Sequence, residues 1–320
     1  MAPAKRALPK VSAAGRLSVP TLGRVIGRCL AVVFLGALVL VPAAAGAGSL
    51  PRLPAPVYRT VAVVSGGRIY VLGGHDSVGG TISEVCVFDP ATGLAKRAGS
   101  LALPTHGAAA ANLSGRILVF GGASNSVHDV VQQFFPASGR SRVIGHMPTV
   151  RADVAATLVG QRVILLGGFD GVGPQSEVWE TRDGRNFRVV ARLPQAVRYP
   201  AVASLGSAVY VFGGLISGGE YTGTFSNAVQ RISLPTGTTR IVGRLPTPLA
   251  HAMAATIGGH IYLLGGSAPG GPSDAIRRFD PATGRIVRAG RLAHTLTDAA
   301  VATIGHTVYL LGGISTSQVV

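Results

Sequence analysis

Arg68-Ile69-Tyr70-Val71-Leu72-Gly73-Gly74 is an apolar strand run ending in paired glycines, and the same pattern returns five more times. The later copies are Arg116 to Gly122, Arg162 to Gly168, Ala208 to Gly214, His260 to Gly266 and Thr307 to Gly313. Their first glycines stand at 73, 121, 167, 213, 265 and 312, giving steps of 48, 46, 46, 52 and 47. A fixed period of this size marks a propeller, a solenoid or an array. The long fourth step contains an insertion, Leu215 to Phe225.

Within each period every signal is β. An Ala/Val-rich stretch such as Val61 to Val64 comes first, followed by a turn at Gly66-Gly67 and then the run to the doublet. A variable polar loop leads to a third run, Glu84 to Phe88, and a tight turn, Asp89-Pro90-Ala91-Thr92-Gly93, leads to a fourth, Ala95 to Leu101. The turn recurs as Asp280 to Gly284 and, degraded, as Pro136 to Gly139. Pro and Gly at those places suit a hairpin turn. No helical period occurs after residue 50, so each repeat is four antiparallel strands. Small residues in the first strand suit a crowded centre, and the doublets permit close approach of another backbone.

These features resemble the Kelch-repeat β-propeller family, of the exported, galactose-oxidase-like central propeller type. The resemblance covers about residues 48–320, and Kelch repeats run to about 50 residues. It implies an all-β, six-bladed propeller. One feature departs from the family: the outer-strand tryptophan of a Kelch blade is replaced here by Ala95, Ser141 or Ile286. The outer strands should therefore pack less aromatic surface.

The 320 residues carry 45 Gly, 20 Pro and 47% apolar residues, which excludes disorder and collagen. Only 13% are charged, so the surface must be built from Ser, Thr, Gly and Ala. Net charge is +16, but residues 1–47 hold six basic groups and no acid. The remainder has 23 basic and 13 acidic residues, a net +10, and its arginines are evenly spread. Without a basic cluster or interleaved aromatics, specific nucleic-acid binding is not expected.

Residues 1–28 are basic, Cys29 to Val41 is an uncharged run of 13, and Pro42 with Ala43 to Gly48 follows. This is the secretory pattern, with cleavage after Ala45 or Ala47. The alternative is an uncleaved anchor, since Cys29 to Gly48 is just long enough to span. Either way the expectation is an N-terminal hydrophobic helix in residues 1–47 and a propeller, 48–320, outside the cytoplasmic membrane. The membrane is touched only through the N-terminal segment. Cys86 is then the one exported cysteine and is expected to be a buried, inert thiol.

Fourteen residues before each first glycine stand Arg59, Gly107, Asp153, Tyr199, His251 and Asp298, with His106 one residue before Gly107. The Kelch resemblance places this position, usually Arg, at a ligand-facing mouth. Arg59, His106, Asp153, Tyr199, His251 and Asp298 are therefore the candidate ligand-binding residues. Tyr58, Arg151, Arg198 and Thr297 are candidate neighbours, and the inserted loop Gly218 to Phe225 is expected to overhang the same face. No cofactor, metal site or catalytic residue is assigned. A Gly-x-Ser-x-Gly elbow is absent, and Cys86 lies away from the mouth, against copper-oxidase chemistry. Asn112-Leu113-Ser114 matches a glycosylation acceptor in a strand-joining turn.

The expected function is a monomeric binding or scaffold module taking a protein or glycan partner at the mouth. The alternative is an enzyme on acidic sugars or polysaccharide, of isomerase or lyase type. There His251, Asp153 or Asp298 would be acid/base and Arg59 the carboxylate partner. Sialic-acid isomerases occur among exported Kelch-like proteins. Ser49 to Pro54 matches the outer-strand ends Arg192-Leu193-Pro194 and Arg244-Leu245-Pro246. Residues near 49–54 are thus expected to complete the last blade beside 314–320 and close the ring. Deleting residues 48–56 should lower the melting temperature severely; an unchanged melting curve would refute closure by this segment.

Overall fold

The computed structural model describes residues 52–315, together with two short strands, Leu30–Phe34 and Gln318–Val319. Five four-stranded antiparallel sheets follow one another along the chain, and each is one repeat. Blade 1 is Val61–Ser65, Arg68–Leu72, Glu84–Asp89 and Leu94–Ser100. Blades 2 and 3 have inner strands Ala109–Leu113 and Ala155–Leu158 and outer strands Arg140–His146 and Phe187–Val197. Blades 4 and 5 have inner strands Ala201–Leu205 and Met253–Ile257 and outer strands Thr238–Arg244 and Ile286–Arg291. The inner strands, with Ala300–Ile304 of a sixth sheet, neighbour one another in a closed circle.

Two expectations need correction here. The described residues form five complete blades, not six. The sixth sheet has three strands, ordered Ala300–Ile304, Thr307–Leu311 and Leu30–Phe34. Moreover, the described part of the N-terminal apolar run is a strand where a helix was expected. It pairs antiparallel with Thr307–Leu311, Leu30 facing Leu311 and Phe34 facing Thr307. Val32, Val33 and Phe34 favour a pleated surface, and the edge of Thr307–Leu311 offers backbone groups to pair. The rest of residues 1–47 lies outside the described residues. Among the described residues no helix is long and apolar enough to cross a membrane.

Residue choice follows position in the blade. Inner strands are narrow because six of them converge, so Ala109, Ala111, Ala201, Ala203, Ala300 and Ala302 are buried there. Second strands are covered on both faces and are apolar past their first residue, as in Val163–Leu166, where every side chain is fully buried. Outer strands are largely exposed. The core is consequently split into six apolar layers, one at each junction of neighbouring sheets. The layer between blades 2 and 3 holds Phe120 and Trp179, and that between blades 4 and 5 holds Tyr210, Phe212 and Phe279. The expected Asp-Pro-Ala-Thr-Gly turns also form: Gly93 N–H donates to Asp89 O at 2.9 Å and Gly284 N–H to Asp280 O at 2.8 Å.

The doublets stitch the sheets together. The second glycine of each donates its N–H to a carbonyl of the segment leading into the next sheet: Gly74 to Thr105, Gly122 to Arg151, Gly168 to Val197, Gly214 to Leu249 and Gly266 to Leu296. Gly313 to Val57 completes the circle, and all six bonds are 2.8 Å long. Leu53 and Val57 are buried in the layer that also holds Leu311, so the segment after residue 51 does seat at the closing junction. Residues 49–51 lie outside the described residues. Ile314–Ser315 pairs with Gln318–Val319 in a small hairpin.

Close approach explains why both members must be glycine. A Cβ on Gly213 (φ 60°) would collide with the Leu249 carbonyl oxygen, and one on Gly214 would lie 2.8 Å from the Arg198 oxygen. Gly206 has nearly the same φ, 59°, with nothing within 4 Å of a Cβ. Gly206→Ala should therefore cost only the left-handed backbone term, about 1–2 kcal/mol. Gly213→Ala adds the collision and should cost clearly more, a further loss of several degrees in melting temperature. Equal melting temperatures for the two variants would refute the stitching role.

Candidate functional site

Arg59, Gly107, Asp153, Tyr199, His251 and Asp298 share one backbone conformation. Their φ values are 51°, 58°, 53°, 52°, 55° and 56°. The left-handed region costs a non-glycine residue about 1–2 kcal/mol, and five of the six pay it. The offset is a second closed circle of backbone bonds. Asp298 N–H donates to His251 O, His251 to Tyr199, Tyr199 to Asp153, Asp153 to Gly107, Gly107 to Arg59, and Arg59 to Asp298, at 2.6–3.3 Å. The residue before each member anchors the circle to the loops after the doublets. Tyr58 bridges His75, Ala152 bridges Phe169, Arg198 bridges Leu215, and Thr297 bridges Ile314.

Above a central cavity of about 220 Å³, walled mainly by Ala and Val of the inner strands, the circle carries converging polar side chains. Arg59 donates to Asp153 Oδ1 at 2.6 Å and to the Tyr199 hydroxyl. Arg198 grips the other oxygen of Asp153 at 2.6 and 3.0 Å and reaches the Tyr199 hydroxyl at 2.9 Å. His251 Nδ1 pairs with Asp298 Oδ1 at 2.8 Å, and its ring stacks on Tyr199 with centroids 4.0 Å apart. Thr297 donates to Asp298 Oδ2 at 2.5 Å.

The inserted loop completes the cluster. Glu220 pairs with Arg59 at 3.0 Å, and its backbone oxygen meets His251 Nε2 at 3.0 Å. Tyr221 stacks on His251 and donates to Asp298 Oδ2 at 2.9 Å. The loop thus overhangs the mouth as expected and occupies it.

Residues 56–94 match the Kelch motif family. Kelch-like protein 25 of Xenopus tropicalis is 25% identical over 230 residues, which is 67% of this chain and 37% of that protein. The chain therefore spans little more than a third of that relative's length. The solved structure of YjhT superposes with a TM-score of 0.73 at 14% identity, over 85% of this chain and 95% of YjhT. The chain is a β-propeller that carries a Kelch motif.

Five of the six candidate residues of this propeller meet at its mouth, joined by Arg198 and Thr297. His106 does not join that cluster. It stacks on His75, centroids 3.9 Å apart, and meets Thr81 Oγ1 at 2.9 Å. Burial, with help from the charge of Arg59, pulls its pKa down to about 3. Arg151 is absent from the mouth as well. It is fully buried between blades, 3.6 Å over the Trp179 ring, and burial lowers its pKa to about 10. Glu220 and Tyr221 lie in the inserted loop expected over this face but were not among the candidate site residues; the irregular fourth step was the signal that located them. Among the described residues no three His, Cys, Asp or Glu side chains are grouped to hold a metal. Cys86 is half-buried beside Glu84, and burial with that carboxylate pushes its thiol up to about 12. Asn112 is engaged in the fold, donating to Val64 O at 2.8 Å.

Charge in the mouth is matched when His251 is protonated: Arg59, Arg198 and His251 face Asp153, Asp298 and Glu220. Burial opposes a charged imidazole, but the Asp298 carboxylate outweighs it, and the His251 pKa is raised. Burial likewise opposes a charged Asp298, but His251 and Thr297 hold its pKa below the ordinary carboxylate range. The stability that His251 adds is therefore full below its unfolded pKa of about 6.5 and lost as pH rises through the higher folded value. That of Asp298 is present above about 4 and lost in acid. The gap in melting temperature between wild type and His251→Gln should be widest near pH 5–6 and narrow toward pH 9. A gap that widens with pH would refute a protonated His251.

Proposed function

We propose that this propeller is a binding module that docks a protein partner across its mouth face, outside the cytoplasmic membrane. The observation that carries the reading is a pair of presented valines. Val78 and Val172, 88% and 93% exposed, sit at the tips of loops following the doublets of blades 1 and 3. Each tip is held by an aspartate. Asp76 Oδ1 accepts from Val78 and Gly80 N–H, and Asp170 Oδ1 from Val172 and Gly173 N–H. Pre-ordered apolar tips reduce the entropy lost on docking. Tyr221, 45% exposed, adds an aromatic surface at the mouth itself. The mouth groups already satisfy one another, which favours a partner lying over them. The location outside the membrane rests on the pattern of residues 1–48 alone.

A second reading is favoured by one contact. Glu220 holds its carboxylate on Arg59, where the carboxylate of an acidic sugar would sit. In that reading the His251–Asp298 pair is the acid/base group, and the loop must first move away.

Envelope proteins captured by the wild-type chain should be lost with the Val78→Asp/Val172→Asp double variant and kept with Arg59→Ala/His251→Ala. A thermal-shift screen against glycans and sialic acids tests the second reading, since a ligand at 100 times its dissociation constant adds about 2.7 kcal/mol. A sugar that stabilises wild type but not Arg59→Ala/His251→Ala would displace the docking reading. Capture unaffected by the valine changes would refute it.

A further inference from the structure

The outer strand of each of the five complete blades carries one extra residue at an equivalent place, and the third-strand residues beside that bulge are Cys86, Gln132, Trp179, Gln230 and Arg277. In blades 2 and 4 the glutamine there ties its blade to the previous one. Gln132 accepts from Leu103 N–H at 2.9 Å and donates to Leu103 O at 3.1 Å; Gln230 does the same to Gln195 at the same two distances. Blade 5 puts Arg277 at this position. A guanidinium has no acceptor atom and cannot make the paired bond. It donates instead to Gly265 O at 3.4 Å and Ser273 Oγ at 3.2 Å, within its own blade.

What results is a hollow of about 320 Å³ at the junction of blades 4 and 5. Arg277, Arg288, Arg291 and Asp274 line it, against an apolar wall that includes Pro246 and Ile286. Arg277 and Arg288 stand directly opposite each other in the strand register, an arrangement that like charges disfavour. Asp274 is the carboxylate in the hollow, and it pairs with Arg291 at 3.1 Å and Arg288 at 3.9 Å. Three cations face one anion, leaving two positive charges unmatched. Burial and the charge of Arg288 both lower the pKa of Arg277, so an added anion would relieve a real electrostatic load. Blades 2 and 4 use this position for a structural bond, and blade 5 puts a charge there, a local departure of the kind that marks functional positions.

We propose that this hollow binds a doubly charged oxyanion, a phosphate or sulfate group, held by Arg277, Arg288 and Arg291. Guanidinium forks match the geometry of such groups. The hollow is larger than the anion alone needs, leaving room for an organic group against Pro246 and Ile286. The site is on the flank of the propeller and is independent of the mouth.

Calorimetric titration of the full chain with inorganic phosphate, inorganic sulfate and acetate tests the proposal. Phosphate or sulfate should bind, and acetate, a monoanion, should bind far more weakly. Arg277→Gln, which installs the residue of blades 2 and 4, should weaken binding about tenfold or more without lowering the melting temperature. Asp274→Asn, which removes the competing carboxylate, should tighten binding. Absence of phosphate and sulfate binding to wild type would overturn the site, as would equal binding by Arg277→Gln or equal affinity for acetate. Preference between phosphate and sulfate then separates a phosphorylated ligand from a sulfated one.

Discussion

Six backbone N–H groups, each donating to the carbonyl one sheet back, close a circle around the axis of this molecule. The mouth depends on it. The bonds require a left-handed residue where each inner strand begins, and that conformation fixes where the side chain goes. Arg59, Asp153, Tyr199, His251 and Asp298 are brought together because the same backbone step is taken at each sheet. Glycine would be cheaper at every one of these positions, and only Gly107 uses it. Strain kept at five places, all facing one cavity, fits a site whose side chains matter.

The outer circle, from doublet to neighbouring segment, does the mechanical work. It explains why the glycine pairs are the feature that stands out in the sequence: a side chain there would meet another backbone. Whatever depends on that constraint could be read in advance, including the period, the strand order within a blade, the tight turns and the fourteen-residue offset to the mouth. Arg151 and His106 show where such reading stops. Each lies within two residues of a mouth position, yet one turns into the layer beside Trp179 and the other onto His75. Neighbouring positions leave the circle in different directions, and the repeat phase alone does not say which side chain follows which path.

Glu220, Tyr221 and Arg277 were illegible for a related reason. Each is a departure from the repeat, so no sibling position reveals its surroundings. The loop holding Glu220 and Tyr221 could be placed over the mouth as an insertion, but which of its side chains reach Arg59 and His251 shows only in its docking. Arg277 sits at a bulge whose importance becomes visible once Gln132 and Gln230 are seen bridging blades. Regularity made the architecture readable, and the irregular residues carry much of what distinguishes this propeller.

Leu30–Phe34 is made before all five complete blades, and its partner Thr307–Leu311 after them. At about 5–20 residues per second, tens of seconds separate the two. Throughout that interval the segment is an apolar stretch with no strand to pair with, exposed to whatever recognises such stretches on a nascent chain. The sixth sheet thus joins strands made before and after the five complete blades, and its completion waits until the whole propeller between them has been made.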